Sequence, residues 1–168
     1  EILFEGFVGG FLSEILDGKA DVKIQKSSDY LFEHLLLGNE DFGRFKRLRY
    51  DIFVELYETK KIFILDTKYK LLTRIRGNEN WEDQLLVELS SNDVYQVLQY
   101  ASKNDLRDVY LLYPLIRRED LEPQHQEGVS YCQHGKTNVH IIKLPFVFED
   151  DEAKVKEKLK IELLKIFA

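Results

Sequence analysis

Methionine is absent from this 168-residue chain, cysteine and tryptophan occur once each, and proline occurs three times. The lone Cys132 has no internal partner for a disulfide, and it cannot build an iron–sulfur cluster or a multi-cysteine zinc site. It fits a reducing compartment, so the cytoplasm is the expected location. No apolar run approaches the ~20 residues that a membrane-spanning helix needs, so no membrane partner is expected. The opening Glu1-Ile2-Leu3-Phe4 has neither the basic region nor the small-residue cleavage site of a signal peptide. A methionine-free chain that opens on glutamate is expected to be the C-terminal piece of a longer protein.

What is present is 44% hydrophobic sequence, enough for one core and short of two. A chain of this size buries about two thirds of its unfolded surface and needs no disulfide or structural metal to fold. The expectation is one domain over residues 1–168, with a C-terminal helix over 149–168. The net charge of −6 argues against a general polyanion binder, yet it averages unlike parts. From Arg44 to Arg76 ten basic residues face four acidic ones, a net +6, which leaves −12 for the remainder. A basic segment in an acidic domain focuses a polyanion on one face; a solvated charged surface reads the same way.

Residues 2–16 space Ile2, Phe4, Phe7, Val8, Phe11, Leu12 and Ile15 as a helix does, and Gly18 is a natural stop. Ala20–Gln25 alternates like a strand, 29–37 reads as either a short helix or a strand, and Gly38–Gly43 reads as a turn. Leu48–Tyr57 and Ile62–Lys68 are β-rich runs separated by Glu58-Thr59-Lys60-Lys61, hence a hairpin. A turn centred between Glu58 and Thr59 makes facing residue numbers sum to 117 and sets Asp51 opposite Asp66. Alternation then gives Asp66 and Lys68 one face and turns Thr67 the other way.

Residues 73–92, with Gly77, Asn78, Asn80 and Trp81, read as a loop, after which Ser90 or Ser91 caps a helix over about Asn92–Lys103. Its expected buried stripe is Val94, Val97, Leu98 and Ala101, with Gln96 and Tyr100 together at the edge. Asp108–Tyr113 is expected as a strand ended by Pro114, and 117–138 as a polar loop. Val139–Phe148 is expected as a further strand and Glu149–Phe167 as a charged helix. The order implies an α/β domain with a mixed central β-sheet flanked by helices.

The chemistry sits in the hairpin. Phosphodiester hydrolysis needs a hard cation to offset developing charge and a water activated for in-line attack. Magnesium is usually held by one or two carboxylates, with water and substrate completing the octahedron. Two aspartates across a hairpin, with a lysine two residues beyond the second, meet those demands. Asp66 also follows Ile62-Phe63-Ile64-Leu65, so a charge enters where a strand should be buried, and this asks for a partner or a metal.

Tyr50-Asp51-Ile52 with Ile64-Leu65-Asp66-Thr67-Lys68-Tyr69-Lys70 resembles motifs II and III of the PD-(D/E)xK nucleases. Asp93-Val94-Tyr95-Gln96-Val97-Leu98-Gln99-Tyr100-Ala101 resembles the Q-x-x-x-Y helix of their RecB-like branch. The wording of these segments, with Phe4-Glu5-Gly6-Phe7-Val8, is similar to the McrC family, nuclease subunits of McrBC modified-cytosine restriction systems. The resemblance runs over about residues 1–148 and departs from the signature at Tyr50, where a proline is usual.

It implies a restriction-endonuclease-like PD-(D/E)xK fold and a DNA endonuclease with Asp51, Asp66 and Lys68 catalytic. It implies Mg2+, with Mn2+ able to substitute, on Asp51, Asp66, the Thr67 carbonyl and, as a metal-proximal acid, Glu5; a solvated helix charge is the other reading of Glu5. Gln96, Tyr100, Tyr69, Lys70 and Arg49 are implied to border the site or the DNA. The implied partners are double-stranded DNA and a GTP-hydrolysing AAA+ protein of the McrB kind.

Arg44, Lys46, Arg47 and Arg49 are phosphate-contact candidates, or a plain solvated strand. Gly135-Lys136-Thr137 is no P-loop, because Ser130 stands where a glycine is required. Cys132 and His134, with His125 and His140, match no standard zinc spacing. The competing functions are a catalytically silent subunit of the same fold, retained for DNA binding or assembly, and another RecB-like repair nuclease.

Overall fold

The computed structural model describes residues 2–69, 90–115, 129–145 and 152–168. Helix α1 (Ile2–Ile15) buries Phe4, Val8 and Leu12 at helical spacing. It lies close on strand β1 (Ala20–Lys26), because a Cβ at Gly9 would meet Ile24 Cγ1 at 2.6 Å. Gly18, at φ +70°, carries the chain from helix to strand.

An excursion follows. Strands β2 (Tyr30–Phe32) and β5 (Phe45–Arg47) pair with each other, as do β3 (Leu36–Leu37) and β4 (Glu40–Asp41). The ambiguous segment 29–37 is therefore two short strands, and the Gly38–Gly43 turn contains a third. Both glycines have positive φ.

The hairpin is strand β6 (Tyr50–Leu56) and strand β7 (Ile62–Thr67). Its pairs Ile52↔Leu65, Phe53↔Ile64, Val54↔Phe63 and Glu55↔Ile62 hold the expected register, each summing to 117. Helix α2 (Ser91–Asn104) follows, then strands β8 (Asp108–Leu115), β9 (Val129–His134) and β10 (Thr137–Pro145). Helix α3 (Glu152–Leu164) ends in a 3-10 turn at Lys165–Phe167.

Ser90 stands at the N-cap of α2 without a side-chain cap bond. Its carbonyl, rather than its hydroxyl, serves the first turn by accepting from Asp93 and Val94 N–H.

Two readings of the second half are corrected. Strand β8 does not stop at Pro114, which pairs with Leu144 of β10. Lys68 N–H reaches the Leu112 carbonyl on the β7 side, so Pro114, two residues on, directs its nitrogen to that side too. The β7 pairing ends at Thr67↔Leu112, so the missing donor interrupts nothing. The polar segment 117–138 contains β9, which forms a hairpin with β10 through Gly135, at φ +61°. That turn is what Gly135-Lys136 builds.

The sheet order is β1-β6-β7-β8-β10-β9. The β7–β8 and β8–β10 pairs are parallel and the rest antiparallel, giving the expected mixed sheet between helices. Helices α1 and α3 pack Phe4, Val8, Leu12, Leu159 and Leu163 on one face, against Ile52, Val54, Phe63 and Leu65. Helix α2 packs Val97, Tyr100 and Ala101 on the other, against Tyr50, Phe53, Ile64 and Leu111. Asp66, two residues after Ile64, comes up on the α2 face at the end of β7. No helix among the described residues is long and apolar enough to cross a membrane.

Candidate active site

Asp66 is fully buried, and among the described residues no backbone N–H or hydroxyl donates to its carboxylate. Its contact is ionic: Lys68 Nζ lies 2.5 Å from Oδ2, and that side chain is only 12% exposed. Burial, with the Asp51 carboxylate as the second cause, pushes Asp66 up to about 7 against the pull of Lys68. Burial alone would lower an ammonium, but the charge of Asp66, helped by Asp51 and Asp93, carries Lys68 above its ordinary value. The two side chains share a face, as strand alternation requires.

Asp51 reaches the same place by a different device. The β6–β7 ladder stops at Ile52↔Leu65, and at the next rung a side chain replaces the backbone. The Thr67 N–H and hydroxyl both donate to Asp51 Oδ2, at 2.8 and 2.9 Å. Strand alternation turns Thr67 away from Asp66, and the resemblance gives it only a carbonyl role. Thr67 is fully buried and also fixes Asp51 through two donors.

From the helix side, Lys68 Nζ donates to Gln96 Oε1 at 3.4 Å. Gln96 Nε2 donates to the Tyr100 hydroxyl, which donates to the Arg49 carbonyl at 2.6 Å. These residues are four apart on α2, so one helical turn carries the amide and its holder. Tyr100 is fully buried rather than at the stripe's edge, and burial raises its phenol. Tyr50, at the position of the usual proline, is also buried; its ring meets that of Tyr100 edge-on at 4.9 Å. Asn104 Nδ2 donates to the Tyr50 hydroxyl at 2.9 Å.

The remaining candidates divide. Glu5 is 4% exposed on the inward side of α1, which removes the solvated-charge reading. The neighbouring Phe4 ring lies 6.0 Å from that of Tyr69, so the start of α1 is beside the end of β7. Tyr69 itself is exposed, and Lys70 lies outside the described residues. Arg49 contributes its carbonyl while its side chain is in solvent. Among the other basic candidates, Arg44 pairs with Glu33 at 3.4 Å and Arg47 donates to the Ser27 carbonyl. His140 pairs with Asp108 at 2.7 Å and stacks on Tyr110, unconnected with zinc.

Sequence reasoning passed over Asp93 and Tyr113. Asp93 lies three residues before Gln96, a spacing that sets both on one helical face. The hydroxyl of the fully buried Tyr113 donates to Asp93 Oδ2 at 3.4 Å. The i, i+3 relation to Gln96 was the available signal.

The donors fit a hard divalent cation. They are carboxylate oxygens, and buried Asp66 shares the single ammonium of Lys68 with the charge of Asp51, an excess of negative charge that a divalent cation balances. Among the described residues no group of three or more His, Cys, Asp or Glu side chains gathers at metal-binding spacing, so Glu5 does not join the aspartates in one. An ion there is left to the two aspartates, a backbone carbonyl and water, which is how magnesium is usually held.

Residues 1–114 match the family model described as McrBC 5-methylcytosine restriction system component. No curated protein matches the chain. A solved structure is similar in fold: a refined half-complex from the tetradecameric assembly of Thermococcus gammatolerans McrB AAA+ hexamers with bound McrC. The TM-score is 0.65 and the identity 16%, over 98% of this chain and 32% of that one. The chain thus spans about a third of the length of that relative, and the likeness speaks for the fold.

Proposed function

The chain belongs to the family of McrBC 5-methylcytosine restriction system components, and from that premise we propose that it is the DNA-cleaving part of such a system. The reading is a magnesium-dependent endonuclease, with manganese able to substitute, that hydrolyses phosphodiester bonds of double-stranded DNA bearing modified cytosine. Its partner is a GTP-hydrolysing AAA+ protein of the McrB kind, the protein whose hexamers carry bound McrC in the similar structure.

One observation carries the reading: a fully buried carboxylate paired at 2.5 Å with the Lys68 ammonium and acted on by the charge of a second aspartate, Asp51. A scaffold without chemistry has no physical need of such a cluster, because buried charge is costly unless compensated. Its presence is the argument against a silent subunit.

A magnesium ion, when bound, supplies charge neutralisation at the scissile phosphate and a more acidic water. Asp51 and Asp66 would hold it, with the Thr67 carbonyl as a third oxygen. The Thr67 N–H and hydroxyl fix the Asp51 carboxylate in place. Lys68 offers three N–H donors, enough to hold the attacking water and a phosphate oxygen together. Gln96 limits where that ammonium can go, and Tyr100 limits Gln96. Preorganisation of this kind keeps the reacting groups from spending entropy at the moment of attack.

The test is cleavage of duplex DNA containing 5-methylcytosine, with magnesium, GTP and the AAA+ partner present. Asp66→Ala and Lys68→Ala are expected to abolish cutting while the far-ultraviolet dichroism stays native. Cutting by both variants at the wild-type rate sinks the assignment.

A further inference from the structure

Lys68 occupies a position that a metal on Asp66 must disturb. Its ammonium sits 2.5 Å from Oδ2 of Asp66, the carboxylate that the proposed function assigns to the ion. A cation on that carboxylate competes for the same lone pairs and repels the ammonium. With its side chain only 12% exposed, Lys68 cannot simply retreat into water, and an ammonium withdrawn from its counterion needs another acceptor nearby.

The helix side offers two. Gln96 Oε1 is already 3.4 Å from Nζ, but it is a neutral amide. Asp93, three residues earlier on the same face of α2, is a carboxylate whose charge acts on both Lys68 and Asp66. It is held from behind by the hydroxyl of Tyr113, which is itself fully buried. Asp93 is thus tied to the sheet through Tyr113, one helical turn from the Gln96 that the lysine already contacts, and its charge acts on that lysine.

We propose that Asp93 is a positioning residue that receives the Lys68 ammonium when a divalent ion occupies Asp51 and Asp66. The lysine then has two stations. It pairs with Asp66 in the metal-free protein, and with Asp93 and Gln96 in the loaded one. Asp93 supplies the negative charge that lets an ammonium and a dication stand side by side, and Gln96 directs the remaining donors toward the phosphate. This rests on the metal site of the proposed function.

A double-mutant cycle on ion binding tests it, read by titration calorimetry with Mn2+ and no DNA. Asp93→Asn is expected to weaken Mn2+ binding at least ~10-fold when Lys68 is present and less than ~3-fold in the Lys68→Ala background, a coupling of a size usual for residues in one network. Asp93→Glu is expected to restore most of the affinity. The metal-free unfolding midpoint is expected to stay close to wild type, since Lys68 rests on Asp66 in that state. Tyr113→Phe, which removes the Tyr113 hydrogen bond to Asp93, is expected to give a smaller loss with the same dependence on Lys68, and it carries the cycle if Asp93→Asn does not fold. Equal losses with and without Lys68 overturn the proposal, because Asp93 would then act on the ion alone. A wild-type protein that binds no Mn2+ overturns the metal site itself, a distinct result.

Discussion

Thr67 holds Asp51 twice, through its backbone N–H at 2.8 Å and its hydroxyl at 2.9 Å, both on Oδ2. This contact joins the last residue of β7 to the second residue of β6 where the ladder between them has ended. The carboxylate does the work of a missing rung and is thereby fixed in direction. Thr67→Val keeps the shape and the N–H but removes one of the two donors. Hydrogen bonds to charged groups contribute about 1.5–3 kcal/mol, so a loss of roughly 1 kcal/mol or more in unfolding free energy is expected. Mn2+ affinity is expected to fall several-fold as Asp51 loosens. Calorimetric binding and urea unfolding check the pair; an unchanged affinity shows that Asp51 needs no such hold.

Metal binding should be strongly dependent on pH, because Asp66 is pushed up to about 7, by burial first and by Asp51 next. Below that value the carboxyl carries a proton that a cation must displace. Affinity is expected to rise with pH up to about 7 and then level off, with up to one proton released per ion on the acid side. Titration in two buffers of different ionisation enthalpy measures the release. A flat affinity between pH 5.5 and 8 argues that Asp66 is not a ligand.

The same shift has a consequence for the metal-free fold. The acid is raised in the folded state, so the folded protein holds a proton that the unfolded chain has lost. Stability from this group is fully present below the unfolded value of 3.8 and is lost progressively as pH rises from there through about 7. A shift of this size is on the order of 4 kcal/mol. Asp66→Asn removes the ionisation, so the variant's stability relative to wild type is expected to rise between pH 4 and pH 8 when metal is chelated, with most of the gain in place by about pH 7. A gap that does not grow with pH contradicts the placement of Asp66.

Much of this was legible because it follows from period and spacing. The hairpin register came from the centre of one turn and set Asp51 opposite Asp66, while strand alternation alone put Asp66 and Lys68 on one face. The four-residue step from Gln96 to Tyr100 likewise fixed their neighbourhood. What was hidden depends on where ladders stop. The Thr67–Asp51 contact exists because β6 and β7 part after Ile52↔Leu65, and Pro114 is tolerated because β7 ends before it. Strands β2 to β5 are two or three residues long, with exposed side chains such as Phe32, Leu36 and Phe45, so they have no apolar alternation to read. Asp93 was passed over because a polar residue in a first helical turn is ordinarily read as dipole compensation.

Tyr50 replaces the proline usual in the family signature, and here the residue is a core element. Its ring meets Tyr100 at 4.9 Å and Phe53 at 5.8 Å, its hydroxyl accepts a hydrogen bond from Asn104, and it is wholly buried. Restoring the signature by Tyr50→Pro is therefore expected to harm the protein. Removing a buried aromatic side chain costs about 3 kcal/mol or more. A fall in the thermal midpoint of about 6–12 °C is the expected result for a domain of this size. A variant as stable as wild type shows that Tyr50 packs less tightly than these contacts imply.

Tyr100 ties the helix to the strand that carries Asp51, since its hydroxyl accepts from Gln96 and donates to the Arg49 carbonyl. Tyr100→Phe keeps the ring in the core but releases both groups. The Gln96 amide is then free to turn its oxygen away from Lys68, whose contact with it is already long at 3.4 Å. Losing a partner of this supporting kind lowers activity by about 10–100-fold at metal sites, and that range is expected for DNA cleavage. Metal affinity is expected to change little, because neither aspartate depends on Tyr100. Gln96→Leu is expected to produce a similar loss alone and almost nothing further in the Tyr100→Phe background, because both act through one contact with Lys68. Additive losses in the double variant would separate the two residues and show that Tyr100 serves the site by another route.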